Sequence, residues 1–152
     1  MPVCLLVPVK PGFSSTRLAF RDIFSSVTAM NATVAVNVKT TFLAARSQPR
    51  EQRYVYAYTI TITNHGEDAA QLISRHWKIR DSKDNLQEVQ GMGVVGEQPH
   101  ILPGASYTYT SGVVLDTETG MMEGSYQMRR ENGEVFEAPI PLFALVPPHA
   151  LH

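Results

Sequence analysis

Three glycines with the spacing of a nucleotide-binding loop are the residues whose pattern points most directly to chemistry. Gly91, Gly93 and Gly96 form a G-x-G-x-x-G motif. In a dinucleotide-binding fold this motif follows a strand and opens a helix, whose N-terminal amides hold the pyrophosphate. Here Pro99 and Pro103 follow the third glycine closely, and they prevent that helix from forming. The sequence therefore argues against a Rossmann-type site.

Two interpretations of the glycines remain open. Glycines at positive φ can aim successive backbone amides into a concave anion nest, which makes Gly91, Gly93 and Gly96 candidate phosphate-binding residues. Alternatively, they supply bulges and allow close approach between strands. Glu88 and Glu97 flank the loop and would repel a phosphate unless their side chains point away. The structural interpretation is therefore favoured.

The other reactive side chains do not form a catalytic pattern. His76 lies on a strand face beside Lys78, which is typical of a surface or cross-strand histidine rather than a general base. No serine occupies a nucleophile elbow, and the single cysteine, Cys4, excludes an intramolecular disulfide and a cysteine-cluster metal site. The acids between residues 116 and 123 are expected to be solvated. We therefore expect no enzymatic activity, no cofactor and no bound metal.

The elements around the glycine loop are predicted to be strands. Apolar and polar side chains alternate with period two in four segments: 34–43, 54–63, 71–81 and 107–113. Shorter strands are expected between and after them. Trp77 is expected to anchor the core. Asn132-Gly133 predicts a final hairpin, and Pro139 and Pro141 place its second strand at an edge or a bulge. Seven or eight strands without a helix after residue 30 predict an all-β sandwich.

The ends of the chain differ from this pattern. Residues 1–30 are predicted to be an extension, disordered or with a short amphipathic helix in which Phe20, Ile23, Phe24 and Val27 share one face, and Met30 is an alternative start. The apolar run at its beginning is shorter than the ~20 residues that span a bilayer. Residues 31–146 form the domain and 147–152 a tail. A formal net charge of -1 favours neither nucleic acid nor an anionic membrane, and we expect a cytoplasmic protein without membrane insertion.

Six segments in a fixed order carry a family resemblance: 53–64, 71–80, 88–99, 102–104, 107–112 and 124–128. With them, residues 31–144 resemble the bacterial ApaG family, whose typical members lack the N-terminal extension. The resemblance implies an immunoglobulin-like or fibronectin type III-like sandwich, in agreement with the strand pattern.

The resemblance also implies a function. Related domains look like interaction modules in eukaryotic F-box proteins and in a DNA-polymerase-delta-interacting protein, and the bacterial family is associated with Co2+ and Mg2+ efflux. With no membrane span, such a role would be indirect. The leading hypothesis is a non-enzymatic module for an unidentified protein partner, which contacts it near residues 88–104. The alternative is a sensor that binds a nucleotide or pyrophosphate at the glycine loop.

Overall fold

The computed structural model describes residues 27–31 and 33–150, and this part of the chain contains nine strands. Their bounds are β1 Val27–Asn31, β2 Val34–Phe42, β3 Tyr54–Asn64, β4 Ala70–Asp81, β5 Leu86–Met92, β6 His100–Ile101, β7 Ser106–Leu115, β8 Gly120–Arg130 and β9 Val135–Leu145. Three short 3-10 turns complete it: Ala44–Arg46, Pro49–Glu51 and Pro148–Ala150. Within these residues, no helix has the length and apolar character needed to cross a bilayer.

The strands form two antiparallel sheets. The four-stranded sheet has the order β1-β2-β3-β7, and the five-stranded sheet has the order β5-β4-β8-β9 with the short β6 paired to β4. Strands β2, β3 and β7 thus face β5, β4, β8 and β9, which is the fibronectin type III-like arrangement of a β-sandwich. The predicted all-β fold is confirmed.

The core lies between the sheets and is built from alternate residues of each strand. On β3, Tyr56, Tyr58 and Ile60 point inward and are fully buried. Trp77 on β4 is also fully buried, and its indole ring meets Tyr58 and Phe143 edge-on at centroid distances of 5.2 and 6.0 Å. Such pairs contribute about 0.5–1.5 kcal/mol beyond the apolar area they bury. The prediction that Trp77 anchors the core is confirmed.

The final hairpin also follows the prediction. Gly133 adopts a φ of 90°, and the three-residue loop is closed by a bond from the Arg130 amide to the Glu134 carbonyl. Strand β9 ends the order of its sheet, and its register with β8 shifts between Met122 and Gly124. An edge position and a bulge both accommodate prolines that cannot donate to a ladder.

Strand β1 was not predicted. It pairs along β2, with Val27 opposite Val38 and Asn31 opposite Val34, although the sequence analysis assigned residues 27–30 to the extension. Val27 therefore begins a strand instead of ending a helix. The other residues of the predicted helix, and residues 151–152 of the tail, lie outside the described residues. The segment has only five residues, too few to show a clear period of two.

Candidate functional site

The glycine loop folds into a tight β-hairpin at the end of β5. The Gly93 amide donates to the carbonyl of Ile73 at 2.8 Å, and Val94 and Glu97 exchange two backbone hydrogen bonds of 2.8 and 2.9 Å. Between them, Val95 and Gly96 have φ values of 43° and 82°. Two central residues at positive φ define a type I′ turn, which matches the twist of paired strands.

Sterics or backbone conformation favour glycine at all three positions, most strongly at Gly93. A Cβ at Gly91 would lie 2.8 Å from Nη2 of Arg75, and one at Gly93 would collide with the backbone carbonyl of Glu97. Gly96 faces open space, but its φ of 82° favours glycine. The hairpin accounts for the motif without a ligand, and the phosphate-binding role of the three glycines stays a prediction.

The hairpin leaves few amides for an anion nest. Those of Gly93, Val94 and Glu97 already donate to carbonyl oxygens. Among the backbone hydrogen bonds of the described residues, none is donated by Val95 or Gly96 at the tip. A phosphate at this loop would therefore meet two free amides, in place of the longer row that a nest normally presents.

The positive charge of Arg75 lies at the base of the hairpin. Within the described residues, no carboxylate lies at ion-pair distance from it. Its side chain lies on the inner face of β4 and crosses to β5, where the guanidinium covers Gly91. Nη1 donates to the carbonyls of Met92 at 3.1 Å and Gly93 at 2.7 Å, while the buried Nε has no hydrogen-bond partner there. The sequence analysis did not connect this arginine with Gly91.

Buried phenols line the sandwich near this arginine. The hydroxyls of Tyr109 and Tyr126 form a 2.5 Å hydrogen bond, and burial raises the pKa of both groups, although the positive charge of Arg75 opposes the rise. The Tyr107 hydroxyl donates to the Glu97 carboxylate at 3.0 Å, and burial, followed by this contact, raises the pKa of Tyr107. Glu97 is thereby directed towards β7.

The other candidate residues are dispersed. Nε2 of His76 lies 2.8 Å from Glu88 on the outer face of the five-stranded sheet, and Nε2 of His149 lies 2.6 Å from Glu118. Over residues 27–31 and 33–150, no three His, Cys, Asp or Glu side chains are grouped so that they could hold a metal ion. Both are surface contacts between two side chains, and neither brings further candidate residues together.

Exposed apolar side chains concentrate on the outer face of the five-stranded sheet. Four point outward from its strands and a fifth lies at the β9 bulge, with exposed fractions from 44% to 67%: Leu86, Met92, Met121, Val135 and Leu142. Leu102, which is 63% exposed, follows β6, which pairs with β4 as β5 does. The sequence analysis missed this surface because these residues come from three strands that only the register brings together.

Comparisons with known proteins agree with this fold. A family model described as ApaG domain matches residues 44–130. The chain is 54% identical to Protein ApaG of Ectopseudomonas mendocina and 55% identical to Protein ApaG of Thiobacillus denitrificans, in each case over 78% of this chain and 94% of the relative. A crystal structure of a Bordetella pertussis protein described as ApaA has a TM-score of 0.75 and 47% identity, and covers 77% of this chain and 95% of that one. The chain therefore belongs to the ApaG family.

Proposed function

We propose that this protein is a non-enzymatic interaction module that binds a protein partner through the outer face of its five-stranded sheet. The observation that carries the proposal is the concentration of exposed apolar side chains on this face. These side chains lie at both ends of the strands and share the face with polar residues between them, and exposed apolar side chains rimmed by polar residues are typical of protein-binding sites. The face includes Met92 and reaches Leu102, so it overlaps residues 88–104, where the sequence analysis expects the partner to bind.

The face combines apolar contacts with charges. Leu86 and Met121 flank the same residue, Arg80, and the three form one cross-strand row at one end of the sheet. Next to this row, Lys78 lies between Glu88 and Glu123. Full burial of a large apolar side chain contributes about 1.5–3 kcal/mol, and the charged row would select the partner by complementarity.

Any role in Co2+ or Mg2+ efflux would be indirect and would pass through this partner. The proposal includes a cytoplasmic location, where the module would meet a transporter domain or a regulator. It requires no chemistry from the protein itself.

A pair of surface variants tests the proposal. Met121→Lys replaces an exposed apolar side chain of the outer face by a charge. Thr108→Lys places the same charge on the outer face of the opposite sheet, where Thr108 is also exposed. Affinity capture and cross-linking with purified, folded bait should lose specific partners with the first variant only. Identical partners for wild type and Met121→Lys would contradict the assigned face.

A second candidate is a nucleotide or pyrophosphate sensor at the glycine loop. Two observations favour it: the Val95 and Gly96 amides at the hairpin tip, and the guanidinium of Arg75 at its base. Calorimetry with ATP and pyrophosphate, with and without Mg2+, should detect heat that Arg75→Gln abolishes. Absence of heat at millimolar ligand would eliminate this candidate.

A further inference from the structure

Strand β5 presents a free edge with a defined pattern of backbone groups. Bonds from the Gly93 amide to the Ile73 carbonyl and from the Asp81 amide to the Asn85 carbonyl fix the phase of its pairing with β4. Hydrogen-bonded positions alternate along an antiparallel ladder. The N–H and C=O groups of Val89 and Gly91 therefore face β4. Those of the alternate residues, including Glu88 and Gln90, face away from the sheet.

This edge lacks the protection seen at the opposite side of the same sheet. Strand β9 carries Pro139 and Pro141 and packs beside β1 and β2. Strand β5 contains no proline, and β4 is its only partner strand among residues 27–31 and 33–150. An exposed edge with regularly spaced donors and acceptors is a template for a further strand.

A positive charge lies at this edge, and no carboxylate of the described residues pairs with it. The guanidinium of Arg75 covers Gly91 on the inner face of the sheet, and it contacts neutral carbonyl oxygens of Met92 and Gly93. A charge that is partly removed from water is costly unless an opposite charge compensates for it. Because Gly91 has no side chain, the space beside the guanidinium towards the free edge is not occupied by β5 itself.

Building on the proposed interaction function, we propose that the free edge of β5 binds an extended acidic peptide of the partner protein. The peptide adds to β5 as an antiparallel strand, and a Glu or Asp opposite Gly91 forms an ion pair with Arg75.

The backbone phase supports this placement of the carboxylate. Gly91 faces β4 with its hydrogen-bonding groups, so an added antiparallel strand would meet it at a non-hydrogen-bonded position. At such positions the two Cα atoms are about 4.5 Å apart and side chains on the same face are closest. A carboxylate at this point would reach the guanidinium and form charge-assisted hydrogen bonds.

The edge favours a peptide over a free phosphate. Alternating N–H and C=O groups match another backbone, whereas a phosphate accepts hydrogen bonds and has no use for the carbonyl groups. The hairpin amides of Gly93, Val94 and Glu97 are already engaged. The one feature that both ligands would use is the charge of Arg75.

Two blocked peptides test the proposal by fluorescence anisotropy. In both, threonine and valine alternate, and the central inward-facing valine is replaced by glutamate in one and by glutamine in the other. Wild-type protein should bind the glutamate peptide about tenfold or more tightly than the glutamine peptide, because the ion pair is lost in the second. Arg75→Gln should remove this difference.

Gln90→Pro provides the edge control. The N–H of Gln90 faces away from β4, so proline at this position removes an edge donor without removing a hydrogen bond to β4. The variant should therefore fold but bind neither peptide. Thr108→Lys, on the outer face of the opposite sheet, should bind both peptides as wild type does. Partner capture lost with Met121→Lys but retained with Gln90→Pro would overturn the edge and leave the interaction function standing.

Three results would overturn the edge proposal: no binding of either peptide, equal affinity of wild type for both, or unchanged binding by Gln90→Pro. If Arg75→Gln fails to fold, the comparison of the two peptides on wild-type protein still decides the role of the charge. Amide exchange then shows whether the Glu88 and Gln90 N–H groups become protected on binding.

Discussion

Replacing Gly93 and Gly96 by alanine separates the two reasons for a glycine in the hairpin. Both residues have positive φ, 65° and 82°, so both substitutions put an alanine into the left-handed region. Only at Gly93 does the new Cβ also collide with a backbone atom, the carbonyl oxygen of Glu97. We therefore expect Gly93→Ala to be the more destabilising of the two.

The size of the difference follows from the bonds at risk. The left-handed conformation costs an alanine about 1–2 kcal/mol, partly offset by about 0.4–1 kcal/mol from a less flexible unfolded chain. Gly96→Ala should therefore lower the free energy of unfolding by about 1 kcal/mol. Gly93→Ala must also displace Glu97 from Val94, and two backbone hydrogen bonds are worth about 1 kcal/mol each. Its total cost should reach about 3 kcal/mol.

Urea denaturation measures both values, provided that the dependence of stability on denaturant is unchanged. Gly133→Ala is the matched control, because Gly133 has a φ of 90° and open space around its Cα. It should behave like Gly96→Ala. Equal losses for Gly93→Ala and Gly96→Ala would refute the reasoning, because the carbonyl of Glu97 would then impose no constraint.

The remaining predictions concern buried polar groups. Tyr126→Phe should lower the free energy of unfolding by about 1–3 kcal/mol because it leaves the Tyr109 hydroxyl unpaired. In a double-mutant cycle, adding Tyr109→Phe to this variant should lower the free energy by less than a second loss of that size. Burial raises the pKa of both phenols, so wild-type stability should fall as the pH rises above about 10, and more steeply than in the double variant. Burial tends to raise the pKa of Asp81, but hydrogen bonds from Asn85 and Lys83 outweigh it and lower this pKa. Acid unfolding curves should therefore show stability lost as the pH falls below about 4, and Asp81→Asn should remove this effect. Asn64→Ala should lower the unfolding free energy by about 2 kcal/mol or more, since the fully buried amide donates to two carbonyls and accepts one amide.

The sequence predicted the sandwich because its strands carry strong local signals. The alternation through Tyr56, Tyr58 and Ile60 marks a buried face, and the Asn132-Gly133 pair marks a hairpin; both depend on residues close together in the chain. The hairpin at Gly93 was harder to predict from the sequence. Val95 occupies a position of positive φ that a β-branched residue rarely adopts, so the I′ turn carried no usual sequence signal.

The candidate surfaces depend on contacts between distant residues, and for this reason local patterns did not reveal them. Arg75 and Gly91 become neighbours only through the register of β4 with β5. Leu86 and Met121 come to lie on the two sides of Arg80 only through the pairing of β5 and β8 with β4. A single sequence gives the period of each strand, but it does not give the partner opposite each residue.

The prolines of β9 also bear on the stoichiometry of any assembly made through the five-stranded sheet. Chain growth by strand addition needs two accepting edges on each molecule, one for the preceding unit and one for the next. Pro139 and Pro141, with β1 and β2 packed alongside, close one side of this sheet in the described residues, which leaves β5 as its accepting edge. Copies of this chain therefore cannot be joined into a fibre through both edges of this sheet, which favours a discrete complex formed at β5.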